Sequence, residues 1–127
     1  MQTENVNLTN NEWSVLECLW ASAPKTVMQL VNLQKERMGW AKSTTTTMIT
    51  RMEAKGLIYC VSGGKARLYY PNVNREAAVY VETTSFLNKV YQGSIGMMMN
   101  TLVEKSTLSK EEIQELYKIL QKAEDPS

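Results

Sequence analysis

Between Ala41 and Gly56 the chain reads AKSTTTTMITRMEAKG, and these residue types suit polar recognition. Taken at a helical period, Ser43, Thr47 and Thr50 centre one face, flanked by Thr44, Thr46 and Arg51, with Lys42 at its start. Short hydroxyls and a guanidinium, with no acid among them, suit phosphates and base edges in a DNA major groove. The opposite face carries Thr45, Met48, Ile49 and Met52 at i, i+3, i+4 and i+7, an apolar stripe able to pack on a core. Four consecutive threonines disfavour a helix, because the branched Cβ loses rotamer freedom against the preceding turn. Thr favours a β-strand, which is the competing reading. Arg51, Glu53, Ala54 and Lys55 are ordinary helix residues and Gly56 suits a C-terminal stop, so we read a helix. A solvated Thr-rich face is the plainer alternative, and only the surrounding elements separate the two.

Those elements come as two helices before and a hairpin after. Thr9 and Glu12 have capping-box spacing, and Leu8 and Trp13 fit a hydrophobic staple. Trp13, Leu16, Leu19 and Trp20 then form an apolar face, and the helix should end near Ser22, before Pro24. Thr26 and Gln29 start a second helix with Val27, Leu30 and Val31 on its apolar side, running to about Met38. Three short helices in this order, the last facing outward, make a helix-turn-helix. LIYCVS (Leu57 to Ser62) and ARLYYP (Ala66 to Pro71) read as strands joined through Gly63, Gly64 and Lys65. Lys65 and Arg67 fall at the tip of this hairpin, where they suit the phosphate backbone beside the groove. A structural hairpin with solvated charges is the alternative.

The charge distribution agrees with the first reading. Over the whole chain it is only +1. Residues 25–67, however, hold eight basic side chains (Lys25, Lys35, Arg37, Lys42, Arg51, Lys55, Lys65, Arg67) against two acids, Glu36 and Glu53. From residue 72 onward six bases face eight acids, so a basic front half is joined to a mildly acidic back half. There is no histidine, which removes His-based acid/base catalysis and the common Cys/His zinc sites. Neither a phosphate loop nor a nucleophile paired with a base is present, so no enzymatic activity, cofactor or metal is expected. Cys18 and Cys60 read as buried free thiols of a reducing compartment, one in a core helix and one in a strand. MQTENVN has neither the basic nor the apolar segment of a secretory signal, and no apolar run approaches the ~20 residues that cross a bilayer. A cytoplasmic protein is expected.

Residues 73–127 read as helical throughout. Phe86, Leu87, Val90 and Tyr91 mark one helix, Ile95, Met98, Met99 and Leu102 a second, and Ile113, Leu116, Tyr117 and Leu120 a third. Ser109 and Glu112 form a capping box for the last, and the end AEDPS is expected to fray. Roughly 50 residues bury too little surface to be stable singly. A second copy of the chain would cover these stripes, and two-fold dimers are the commonest closed assembly. Phe86, Val90, Met98, Met99, Leu102, Ile113, Leu116, Tyr117 and Leu120 are the expected dimerisation residues. The methionines could instead line a ligand pocket.

Taken together, LTNNEWSVLECLW, TVMQLVNLQ, STTTTMITRMEAKGLIYCVSGGKARLYYPNVNREA and TTSFLNKVYQGS resemble the penicillinase and methicillin-resistance repressor family of bacterial transcriptional regulators. The resemblance covers almost the whole chain, with Thr50, Arg51, Met52, Lys55, Gly56, Tyr69 and Tyr70 among the more specific positions. It implies a mainly α fold with a small β-hairpin wing: a winged helix-turn-helix domain over 1–72 and a helical dimerisation domain over 73–127. It also implies a homodimeric cytoplasmic repressor on inverted-repeat operator DNA, controlled in some members by a membrane sensor for β-lactam that leads to cleavage. Where such members carry an Asn-Phe bond, this chain places Thr101 and Leu102, with Asn100 one residue early. The paired Cys-x-Cys motifs of copper-responsive relatives are absent. A winged helix serving as a protein-interaction module, or one answering to a small molecule, is the alternative.

Overall fold

Local signals start and stop the helices. In the computed structural model, which describes residues 7–125, α1 covers Asn10–Ala21, α2 Val27–Met38 and α3 Lys42–Ala54. The Thr9 side chain accepts from the Glu12 amide while the Glu12 carboxylate accepts from the Thr9 amide. Thr26 and Gln29 exchange the same pair of bonds at the head of α2. Each box satisfies amides that no carbonyl of the helix can reach. Gly39 closes α2 at φ 71°, in the left-handed region that only glycine enters without a Cβ penalty. The Thr-rich stretch is helical, and the strand reading is set aside.

The hairpin follows directly. β1 (Ile58–Gly63) and β2 (Ala66–Pro71) pair antiparallel, with Cys60 opposite Tyr69 and Ser62 opposite Arg67. The far edge of β2 is covered at one rung: Lys25, in the α1–α2 linker, exchanges both backbone bonds with Tyr69, at 3.1 and 2.8 Å. These bonds anchor the base of the wing to the helical layer.

Helices and hairpin share one core. It contains Val15, Leu16 and Leu19 from α1, Leu30 from α2, Ile49 and Met52 from α3, and Leu57, Ile58 and Tyr69 from the hairpin. Fully burying one such aliphatic side chain contributes about 1.5–3 kcal/mol. The Trp20 indole donates to the Val73 carbonyl at 2.9 Å, holding the segment after β2 against α1. Helix α4 (Arg75–Tyr91) then adds Ala78 to the same core. Polar groups are buried with them: Gln34 is fully buried and donates to Ser14 Oγ at 2.9 Å. Its carbonyl oxygen accepts from Cys18 Sγ at 3.4 Å. Both cysteines are free, but Cys60 is only half-buried, a correction to the expected pair of buried thiols. It lies two rungs closer to the wing tip than the fully packed Ile58.

The chain divides into two compact units, Met1–Thr83 and Thr84–Ser127, and the division falls within α4. The boundary read from sequence, at residues 72 and 73, precedes that helix. The second unit holds the end of α4, then α5 (Ile95–Glu104) and α6 (Lys110–Glu124). Ser94 caps α5, and Ser109 and Glu112 form the expected box on α6. Of the AEDPS end expected to fray, Ala123 and Glu124 still belong to α6, while positions 126–127, like 1–6, lie outside the described residues.

Thr45 faces the core with no exposure, and its hydroxyl has no hydrogen-bond partner. An unpaired buried hydroxyl carries a desolvation cost of about 1–3 kcal/mol. Thr45→Val keeps the shape and removes that group. We expect it to stabilise the fold by about 1 kcal/mol in urea unfolding. A loss of stability would show that the hydroxyl is satisfied.

Candidate nucleic-acid interface

The period of α3 separates its two faces cleanly. Thr45, Ile49 and Met52 are buried, whereas Lys42, Ser43, Thr44, Thr47, Thr50 and Arg51 are exposed and Thr46 is half-buried. The structure therefore brings the α3 candidates together on one outward surface. Ala41 is the N-cap of α3 and supplies no side-chain acceptor, so the first amides of the helix lack the cap that Thr9 and Thr26 give α1 and α2. Free amides at a helix N-terminus favour an anion.

The hydroxyls are not equivalent. Thr46 Oγ1 donates to the Ser43 carbonyl at 3.1 Å, and Thr50 Oγ1 donates to the Thr46 carbonyl at 3.0 Å. With their protons committed to the helix, these two oxygens offer only lone pairs outward. Such groups match the amino donors of adenine or cytosine better than a phosphate, which only accepts.

The C-terminal end of α3 is fixed by charge. Lys55, its C-cap, forms an ion pair with Glu12, whose side chain is 5% exposed. Burial alone pushes a carboxyl up. Here the hydrogen bonds from Lys55 and the Thr9 amide, together with the Lys55 charge, outweigh it and hold Glu12 below its ordinary 4.5. Lys55 is thus a tether between α3 and the head of α1.

The two wing cations part company. Lys65 lies in the turn after Gly64, exposed, and forms no ion pair among the described residues. Arg67 is exposed as well, its side chain at 60%, but its head group has partners within the protein. Its Nε donates to Cys60 Sγ at 3.1 Å, its Nη2 approaches Glu53 Oε2 at 3.5 Å, and its guanidinium lies 5.6 Å from the Tyr69 ring centre. The Cys60 hydrogen bond is the largest cause holding the Arg67 pKa above its ordinary value, and burial pushes the Tyr69 phenol up. Strand parity carries this signal, since Arg67 is two residues before the buried Tyr69. Gln34 had no comparable signal, because its spacing does not distinguish it from a solvated residue.

In the second unit no described residue is buried. Met99, Ile113, Leu116, Tyr117 and Leu120 line one apolar groove between α5 and α6, of about 210 Å³. Phe86 and Val90 lie on α4, 49% and 42% exposed, and are not among that groove's lining. Met98 and Leu102 are half-buried on α5. Thr101 and Leu102 sit within α5, where the Thr101 hydroxyl donates to the Met97 carbonyl at 3.3 Å. Among the described residues there is no group of three or more His, Cys, Asp or Glu able to hold a metal, and no helix long and apolar enough to cross a membrane.

Three helices, a two-stranded wing and an outward third helix define a winged-helix protein. The solution structure of the DNA binding domain of the repressor BlaI has this fold, with TM-score 0.52 and 19% identity over 61% of this chain and 93% of that one. The Bacillus licheniformis BlaI monomer in complex with the blaP half-operator matches at TM-score 0.53, again with 19% identity, 61% and 93% coverage. The penicillinase repressor family model matches residues 8–122, and the chain belongs to that family. It is 31% identical over 125 residues to the methicillin resistance regulatory protein MecI of Staphylococcus aureus strain N315, covering 96% of this chain and 99% of that protein. It is 29% identical over 114 residues to the penicillinase repressor of Bacillus licheniformis, covering 90% and 89%.

The Glu12–Lys55 pair makes a pH prediction. A carboxyl held below its ordinary value stabilises the fold above pH 4.5, and that contribution is lost as pH falls through the folded-state value. Glu12→Gln should cost about 1 kcal/mol at neutral pH, a modest figure because solvent screens the exposed Lys55. Acid unfolding followed by circular dichroism should then show a shallower loss of stability below pH 4.5 than in the parent chain. Equal slopes would mean that Glu12 is not depressed.

Proposed function

We propose that this chain is a DNA-binding transcriptional repressor that acts as a cytoplasmic homodimer on an inverted-repeat operator. The observation that carries the reading is the outward face of α3. Lys42, Ser43, Thr44, Thr46, Thr47, Thr50 and Arg51 lie together on it, opposite the buried Ile49 and Met52 and beside a wing tipped by Lys65. Phosphates bind at the uncapped helix start and at Lys42 and Lys65, while the hydroxyls and Arg51 read base edges. The binding of a half-operator by the similar BlaI monomer supports this assignment.

The second unit supports the dimer. Ile95, Val103, Tyr117, Ile119 and Leu120 are each more than half exposed in the single chain. An apolar surface of this kind marks an interaction site, and an identical copy covers it symmetrically. Phe86, Val90, Met98, Met99, Leu102, Ile113, Leu116, Tyr117 and Leu120 form the proposed dimer surface. Loosening of that surface, by cleavage at Thr101 and Leu102 following a membrane sensor's signal or by another route, releases DNA.

Salt provides the first test. On a duplex selected by the protein from a random pool, log affinity should fall linearly with log salt, by about 0.9 per phosphate neutralised. Thr47→Ala and Thr50→Ala should mainly reduce discrimination against scrambled DNA, by about 1–3 kcal/mol where a base contact is lost. Equal affinity for selected and scrambled duplexes across the series would sink the repressor reading. Truncation after Asn100 provides the second test, because it removes Ile113, Leu116, Tyr117 and Leu120. Sedimentation should find a monomer, with operator affinity reduced toward that of a single half-site. A truncated chain that stays dimeric with full affinity would place control elsewhere.

A further inference from the structure

The two wing cations have different surroundings, and the ladder says why. Gly63 and Ala66 form the last paired rung, so Gly64 and Lys65 lie beyond it and the pleat does not dictate where Lys65 points. Arg67 is within the ladder. It shares a face with Tyr69, which is 3% exposed, and this inner face is the one that packs on the helices. We propose that Arg67 is a positioning residue that clamps the wing to the end of α3, and that the wing's phosphate contact belongs to Lys65. The proposal rests on the DNA-binding reading for its consequence at DNA, though the clamp itself belongs to the free protein.

Three contacts converge on one guanidinium. Its Nε donates to Cys60 on β1 at 3.1 Å, its Nη2 approaches Glu53 on α3 at 3.5 Å, and its plane lies against Tyr69 on β2 at 5.6 Å. Each partner belongs to a different element, so one side chain ties both strands of the wing to the last turn of the recognition helix. A guanidinium suits this position because it is planar and presents donors in a fixed fork. Swinging the guanidinium away from the sheet to a phosphate would break the Cys60 and Glu53 contacts. Moving away would also leave Glu53 as an uncompensated acid on the recognition helix, where it would repel the DNA backbone. Lysine, a point charge on a flexible stem, could still meet a phosphate but could not reproduce the fork.

Two measurements on the full chain test this. The first is amide hydrogen exchange across β1 and β2 in the DNA-free protein. Arg67→Ala and Arg67→Lys should both speed exchange in the wing, while Lys65→Ala should not. The second is the salt series on the selected duplex. Lys65→Ala should lower the log–log slope by about 0.9, the signature of one lost phosphate contact. Arg67→Ala should leave the slope unchanged and weaken binding by up to about fivefold, the range of exposed ion pairs. Arg67→Lys should fail to restore it. Unchanged wing exchange in Arg67→Ala would overturn the proposal, as would a slope lowered by about 0.9 that Arg67→Lys restores. If the parent chain binds no DNA, the functional reading fails while the exchange experiment still decides the clamp.

Discussion

The polar face of α3 can point outward only because its other face is pinned. Five threonines oppose this helix, each by up to ~0.7 kcal/mol relative to alanine. Ile49 and Met52, 2% and 0% exposed, offset that through burial at about 1.5–3 kcal/mol each. Burial therefore wins, and it does so only at a helical period. A strand would send alternate residues to opposite sides and could not bury Thr45, Ile49 and Met52 together. The Lys55–Glu12 pair then ties the C-terminal end of the pinned helix to α1, and the Gln34–Ser14 bond joins α2 to α1.

What could be read in the sequence was whatever has a short-range cause. Capping boxes at Thr9, Thr26 and Ser109 lie within three residues of their partners, and the structure contains all three. The hairpin was legible from Gly63, Gly64 and the flanking aromatic strands, and the stripe on α3 from its period. Long-range polar pairing was not. Gln34 meets Ser14 across 20 positions of sequence, and Lys55 meets Glu12 across 43. Arg67 is the instructive intermediate. Its charge and its place near a tip suggested phosphate, while its parity with Tyr69 pointed inward. The pleat sets the direction of a side chain within the ladder, so the parity with Tyr69 accounts for the contacts Arg67 makes in the free chain.

The wing shows the same principle from its outer face. Tyr59 and Tyr70 stand opposite each other and stack at 5.3 Å, with planes 10° apart. Val61 opposes Leu68 one rung pair further on. These cross-strand pairs stiffen the two strands against each other. They do nothing to fix the hairpin relative to α3. That requires groups on the inner face: Ile58 and Tyr69 through the core and the Lys25 backbone bonds, and Arg67 through Glu53.

The two units differ in what a single chain can complete. The first closes its own core, so the outward face of α3 is preformed in one copy. In the second, no described residue is buried, although α5 and α6 carry strong apolar stripes and well-formed caps. Caps set where helices begin but supply only about 1 kcal/mol each, far less than the burial that a helical unit of this length needs. Helices with sound ends and uncovered stripes are, under the proposed pairing, specified by sequence and finished by association. Under the proposed pairing, affinity for a two-part site depends on the concentration at which one recognition face presents the other to DNA. The second unit sets that concentration without touching a base. Control placed there can change occupancy by orders of magnitude while leaving every contact of α3 intact, which separates the evolution of the signal from that of the sequence being read.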